Sequence, residues 1–170
     1  MLAVLTAAVA VCVTLTVLNL VLLFAVIRKL RDQPQQPQFV PQTMNVGTMV
    51  RRFETTTTTG ATLTEESLTS TVVAFVSPSC APCRDLVASI REMAPRLGDP
   101  LLLVVVEELD DATRAAVAGV DGVSIVADGE STAVTSAFGV SSYPTVARLQ
   151  SGLVVNSGSQ LADVLEPVAN

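Results

Sequence analysis

Residues 70–97 read STVVAFVSPSCAPCRDLVASIREMAPRL and place two patterns back to back. The first eight, STVVAFVS, are an apolar run rich in β-branched residues, the pattern of a strand buried on both faces. In CRDLVASIREMAPRL (83–97), Leu86, Val87, Ile90 and Met93 fall on one helical face, with Gly98 as the stop. Between strand and helix stand Cys80-Ala81-Pro82-Cys83. Two cysteines separated by two residues can close a disulfide across one helical turn. A thiol at a helix N-terminus also faces unpaired backbone N–H groups and the positive end of the dipole, which favour its thiolate. Cys80 is the outer residue and the expected nucleophile, and Cys83, one turn in, is the expected resolving thiol. Pro82 suits the first turn, where it has no N–H to lose.

The same rhythm continues on both sides. PLLLVVVEE (100–108) is a second buried strand, and DDATRAAVAG (110–119) has the acidic first turn and terminal glycine of a helix. VSIVAD (123–128) is expected as a third strand and STAVTSAFG (131–139) as a short helix. TVARLQ and LVVNSG meet at Ser151-Gly152 as a β-hairpin, and SQLADVLEPVA (159–169) closes as an amphipathic helix. Upstream, Thr55–Thr59 and Gly60-Ala61-Thr62-Leu63 predict a hairpin rather than a mucin-like tract, because Thr favours strands and Gly60 can turn the chain. Thr64-Glu65-Glu66-Ser67-Leu68 has the look of a capped helical turn. Strands alternating with helices mean an α/β domain around a central, partly parallel sheet.

The N-terminal segment differs in kind. Met1 to Ile27 carries no charge, and as a helix it would span about 40 Å against a hydrocarbon layer of about 30 Å. A cleaved signal peptide would want a cationic start and a small-residue cleavage site, whereas Arg28, Lys29 and Arg31 follow the run. Val11 before Cys12 disfavours a lipoprotein site. The segment is therefore expected to be an uncleaved transmembrane anchor, with Cys12 in the lipid phase. Residues 32–50, with three prolines and five glutamines, read as a tether. The expected organisation is an anchor over 1–27, a juxtamembrane linker over 28–45 and a folded domain over 46–170.

Composition removes several function classes. There is no histidine, which excludes His-dependent triads and His metal sites. Beyond residue 31, 7 Arg stand against 16 acids, a balance of −9, too acidic for nucleic acid, which needs clustered cations. A zinc half-site fails because tetrahedral zinc needs four ligands and Cys12 is the sole other cysteine. No metal and no cofactor are expected. A purely structural disulfide would close too short a loop to stabilise much. A peroxidase cysteine would use a hydroxyl three residues upstream, which Ser77 supplies, but Val73 stands where the peroxiredoxin pattern has proline.

Ser142-Tyr143-Pro144-Thr145 follows the short helix ending at Phe138-Gly139 and opens a predicted strand. Proline at a strand start is either an ordinary trans residue on an edge or a cis bond of special purpose. Together, PSCAPC (78–83), FGVSSYPT (138–145) and the following hairpin resemble the thioredoxin superfamily, and most nearly its membrane-anchored TlpA/ResA and MauD-type branch. The resemblance covers roughly residues 46–170, and an extra strand–helix unit accounts for the 60 residues between Cys83 and Pro144. It implies a central mixed sheet flanked by helices, preceded here by one transmembrane helix. It also implies a thiol–disulfide oxidoreductase in which Cys80 attacks a partner disulfide and Cys83 resolves the mixed disulfide. Tyr143, Pro144 and Thr145, with Pro82, would then hold the substrate chain. The implied partners are thiols and disulfides of client proteins and an electron donor. A dedicated maturation factor and a non-catalytic peptide-binding adaptor are the other readings such a fold allows.

Two departures from the family matter. Ser79 stands where Trp often precedes the first cysteine, and STVVAFVS carries no buried acid to help deprotonate the resolving thiol. Glu107 and Glu108 read as surface acids at a strand end. Two indications of topology conflict. The positive-inside rule, applied to Arg28, Lys29 and Arg31, places the domain in the cytoplasm. The resemblance places it outside, where disulfides persist.

Overall fold

The computed structural model describes residues 44–165, together with residues 12–21, Met1 and Thr6. Residues 12–21 are helical, and Thr16 Oγ1 donates to the Cys12 carbonyl at 2.8 Å. Among the described residues no helix is long and apolar enough to cross a membrane. The remainder of the anchor expected over 1–27, and the linker as far as residue 43, lie outside the described residues.

The folded unit is built on strand β3 (Ser70–Val76), the apolar run before the two cysteines. It lies at the centre of a five-stranded sheet, in the order β5 (Val123–Val126), β4 (Leu101–Val105), β3, β6 (Thr145–Gln150), β7 (Leu153–Gly158). β3 runs parallel to β4 and antiparallel to β6, so the sheet is mixed. A small antiparallel hairpin, β1 (Glu54–Thr56) and β2 (Thr62–Thr64), stands apart from it. Glu130 holds that hairpin, its carboxylate accepting from Thr55 Oγ1 at 3.1 Å and from the Thr56 N–H at 3.0 Å.

The apolar run needs both faces covered, and they are. Side chains of a strand alternate, so Val72, Ala74 and Val76 face one layer, against Leu86, Val87 and Ile90 of helix α1 (Ala81–Leu97). Val117 of α2 (Asp111–Val117) joins the same cluster. Val73 and Phe75 face the opposite layer, against Val134 and Phe138 of α3 (Ser131–Phe138). Phe75 meets Phe138 edge-on, with centroids 5.1 Å apart. Val72 to Phe75 have no exposed surface, which is why the run carries no polar residue. The core extends to Met44 and Val50 at the start of the unit.

α1 is fixed at its C-terminal end by Arg148 of β6. The guanidinium donates to the Leu97 carbonyl at 2.8 Å and pairs with Asp99 at 2.9 Å, while Ser70 Oγ donates to Asp99 at 2.7 Å. Gly98 ends α1 with φ 72°, a left-handed backbone that suits glycine. The helix expected over 159–169 is described only as a 3-10 turn, Leu161–Val164. The Asp163 carboxylate folds back over the start of this turn, accepting from the N–H groups of Ser159 at 2.8 Å and Gln160 at 2.9 Å as in a capping box. Residues 166–170 lie outside the described residues.

Candidate functional site

The site forms at the C-terminal end of β3, where the chain turns into α1. Cys80 is the N-cap of that 17-residue helix, with extended backbone, and Pro82 lies exposed on its first turn. The turn is held by the Cys80 N–H donating to Ser77 O at 3.1 Å and by Arg84 Nη1 donating to Pro78 O at 3.3 Å. Cys83, one turn in, faces the core and is 1% exposed, whereas Cys80 is half-buried. Both are free thiols.

The Tyr143–Pro144 peptide is cis. Its loop comes to the mouth of the dithiol, and the Cys80 thiol donates to the Tyr143 carbonyl at 3.6 Å. Tyr143 and Pro144 are half-buried beside the thiol, while Thr145 is fully buried. Thr145 Oγ1 donates to the Ser142 carbonyl at 2.7 Å, so this side chain closes the loop from behind. Cys80, Tyr143 and Pro144, far apart in sequence, therefore share one surface, and Cys83 lies beneath it.

Burial pushes the Cys83 thiol up to about 12, and the neighbouring Cys80 thiol adds to the effect through a hydrogen bond. The backbone of Ser77 hydrogen-bonds Cys83 and acts in the opposite sense. Burial also raises the Tyr143 hydroxyl, helped by the charges of Cys83 and Glu107. Asp110 is lowered by its hydrogen bonds from Thr113, which cap α2.

Two expectations about neighbouring residues change. Glu107 is not simply a surface acid: it accepts from Ser79 Oγ at 3.0 Å, and Ser79 Oγ in turn bonds Ser77 Oγ at 2.8 Å. The contact joins the end of β4 to the turn before Cys80, 28 residues apart, a pairing that strand and helix periodicity does not report. The Ser77 hydroxyl, which a peroxidase would aim at the reactive thiol, is engaged with Ser79 instead. Among the described residues no group of three or more His, Cys, Asp or Glu side chains could hold a metal.

No family model and no curated protein matches the chain. Solved structures do. A thio-disulfide isomerase from Thermus thermophilus aligns with a TM-score of 0.57 at 17% identity, covering 68% of this chain and 87% of that one. The fold is thioredoxin-like. The thioredoxin domain of a thiol-disulfide oxidoreductase from Bacteroides vulgatus aligns with a TM-score of 0.54 at 11% identity, over 72% of this chain and 94% of its own. A secreted Mycobacterium tuberculosis disulfide oxidoreductase homologous to E. coli DsbE gives 0.51 at 17% identity, over 69% and 85%. The central mixed sheet and its flanking helices are thus those the sequence resemblance implied.

In such a frame the geometry permits one sequence of events. Cys80 is half-buried at the mouth of the site and caps the N-terminus of α1. Cys83 is shielded, and it lies one helical turn from Cys80. An accessible thiol can attack an incoming disulfide, and a shielded one beside it can then displace the sulfur that became attached.

Proposed function

We propose that the chain is a membrane-anchored thiol–disulfide oxidoreductase that uses the Cys80–Cys83 dithiol to reduce or exchange disulfides in client proteins. The observation that carries this reading is the Cys80 thiol held at the α1 N-terminus against the Tyr143 carbonyl of the cis-proline loop, with Cys83 buried below. Cys80 is the nucleophile and Cys83 the resolving residue. Tyr143 and Pro144, with exposed Pro82, form the client surface, and Thr145 supports it from inside. Reduction of insulin disulfides with a dithiol donor tests the reading: the wild-type protein turns over and Cys80→Ser does not. No acceleration by the wild-type protein would favour an adaptor that only binds peptides.

The anchor is residues 1–27, supported by the length and apolarity of that run. The folded domain faces the extracytoplasmic side, where client disulfides persist. Ser157 is unsuitable as a reporter of topology, because its hydroxyl donates to Met44 O and it is half-buried. Asp121 is exposed. Asp121→Cys in a Cys80→Ser background should react with a membrane-impermeant maleimide on intact cells. Labelling only after lysis would place the domain in the cytoplasm, as Arg28, Lys29 and Arg31 alone would have it.

A further inference from the structure

One negative charge is fixed at the mouth of the dithiol. Glu107, just beyond β4, is exposed to solvent, yet its Oε1 accepts from Ser79 Oγ at 3.0 Å. Ser79 is the residue before Cys80, and its hydroxyl is also bonded to that of buried Ser77 at 2.8 Å. Across the mouth, the Cys80 thiol meets the Tyr143 carbonyl at 3.6 Å, and the charge of Glu107 acts on the Tyr143 hydroxyl. The carboxylate thus stands beside both walls of the site, the turn before Cys80 and the cis-proline loop. Its partner there is a neutral hydroxyl, so the charge is anchored without being neutralised. Arg84, the basic residue of the first turn of α1, donates to the Pro78 carbonyl at 3.3 Å and its charge acts on Asp110.

We infer that Glu107 selects clients by charge, favouring disulfides flanked by Lys or Arg and disfavouring those flanked by Asp or Glu. The inference rests on the thiol–disulfide exchange proposed above and names its substrate class. The Cys80 sulfur, its proton passed to solvent, attacks one sulfur of the client disulfide. That S–S bond breaks, and its electron pair leaves on the other client sulfur, which takes up a proton from water. A cationic side chain beside the attacked sulfur is drawn to Glu107 during this approach, and an anionic one is repelled. Charge complementarity of this kind acts on encounter and on the rejection of wrong partners. The bond from Ser79 holds the carboxylate in place beforehand, so less ordering is needed when the client arrives. Glu107 touches neither sulfur and is a specificity-determining residue, not a catalytic one.

Three small disulfides serve as probes on the full chain carrying Cys83→Ser, where the adduct stays on Cys80 and peptide mapping locates it. Cystamine is cationic, hydroxyethyl disulfide is neutral and dithiodipropionate is anionic. Each charged probe's rate is divided by the neutral probe's rate in the same protein, which removes any general effect on Cys80. The probes differ in intrinsic reactivity, and that difference cancels when the ratios with and without Glu107→Gln are compared. Glu107→Gln keeps an oxygen to accept from Ser79 and removes only the charge.

A unit charge ~5 Å away in water changes such a rate roughly threefold to fourfold in either direction. The cation-to-anion ratio should therefore fall about tenfold in Glu107→Gln at an ionic strength of ~0.01 M. It should also shrink with Glu107 in place at ~1 M salt, where the screening length is ~3 Å. Asp121→Asn removes the same charge from an exposed position before β5, at the opposite end of the parallel strands, and should leave most of the ratio in place. An unchanged ratio in Glu107→Gln would overturn the selectivity while leaving the exchange chemistry intact. An equal fall in Asp121→Asn would overturn it too, since the preference would then belong to the net charge of the chain. No adduct on Cys80 from any of the three probes would overturn the exchange reading and the selectivity with it.

Discussion

Cys83→Ser should convert the protein into a trap for its clients. Cys80 keeps its place at the α1 N-terminus and against the Tyr143 carbonyl, so it still attacks. The hydroxyl that replaces the buried thiol cannot displace the attached sulfur, and the mixed disulfide persists. Higher-mass species should accumulate on non-reducing gels and vanish with reductant, while turnover falls to background. Cys80→Ser should abolish both turnover and trapping, since the remaining thiol of the pair is 1% exposed. Traps that formed through Cys83 in the Cys80→Ser protein would reverse the two roles. The identity of the trapped proteins separates a generalist from a factor dedicated to one client, because the second would yield a single partner.

The second large effect is the difference between the two thiols toward an alkylating agent. A thiol at about 12 rather than the ordinary 9.0 carries roughly a thousandth of the thiolate at neutral pH, and only the thiolate reacts. In the folded, reduced protein at pH 7.5, iodoacetamide should modify Cys80 and spare Cys83, as peptide mapping would show. The same displacement has a consequence for stability. Between about pH 9 and about 12 the folded dithiol holds a proton on Cys83 that the unfolded chain has already lost. The stabilising contribution of the buried neutral thiol is therefore complete below about pH 9 and declines as pH rises toward 12. Urea unfolding of the reduced protein should show lower stability at pH 10.5 than at pH 8. The oxidised protein, which has no Cys83 proton to lose, should lack this component. A reduced protein whose Cys83 reacted as readily as Cys80 at neutral pH would contradict the burial argument.

Most of the scaffold is readable from local patterns, because those patterns answer to burial. STVVAFVS has no polar side chain between Thr71 and Ser77, and the strand it forms is covered on both faces. The glycines that stop α1 and α3 are Gly98 and Gly139, both with left-handed backbone as their place after the last helical residue requires. Gly60 turns the hairpin that Thr55 and Thr62 suggest. The pairing of Cys80 with Tyr143 follows from the family resemblance rather than from spacing, since nothing in a 60-residue interval says which loops meet.

The contact of Glu107 with Ser79 was not legible. Two exposed polar residues at the ends of different elements leave no periodic trace, and their meeting depends on the parallel register that sets Val76 beside Val105. Thr145 shows the same limit from the other side. Its proximity to Pro144 marks it as part of the client surface, yet the strand pleat turns its side chain inward. At the C-terminal end, the apolar spacing of Leu161 and Val164 suits a helix. The described part is instead a 3-10 turn over Leu161–Val164, capped by the Asp163 carboxylate, and apolar spacing alone does not distinguish it from an α-helix.

The central claim is that Cys80 and Cys83 are a reversible redox pair, and equilibration in glutathione buffers of graded ratio tests it most directly. Mass analysis after acid quench counts the species at each potential. A true pair gives two states only, dithiol and internal disulfide, interconverting as a two-electron couple with about 30 mV for each tenfold change in their ratio. A population that settles instead as a stable glutathione adduct on Cys80, with Cys83 still a free thiol, would contradict it.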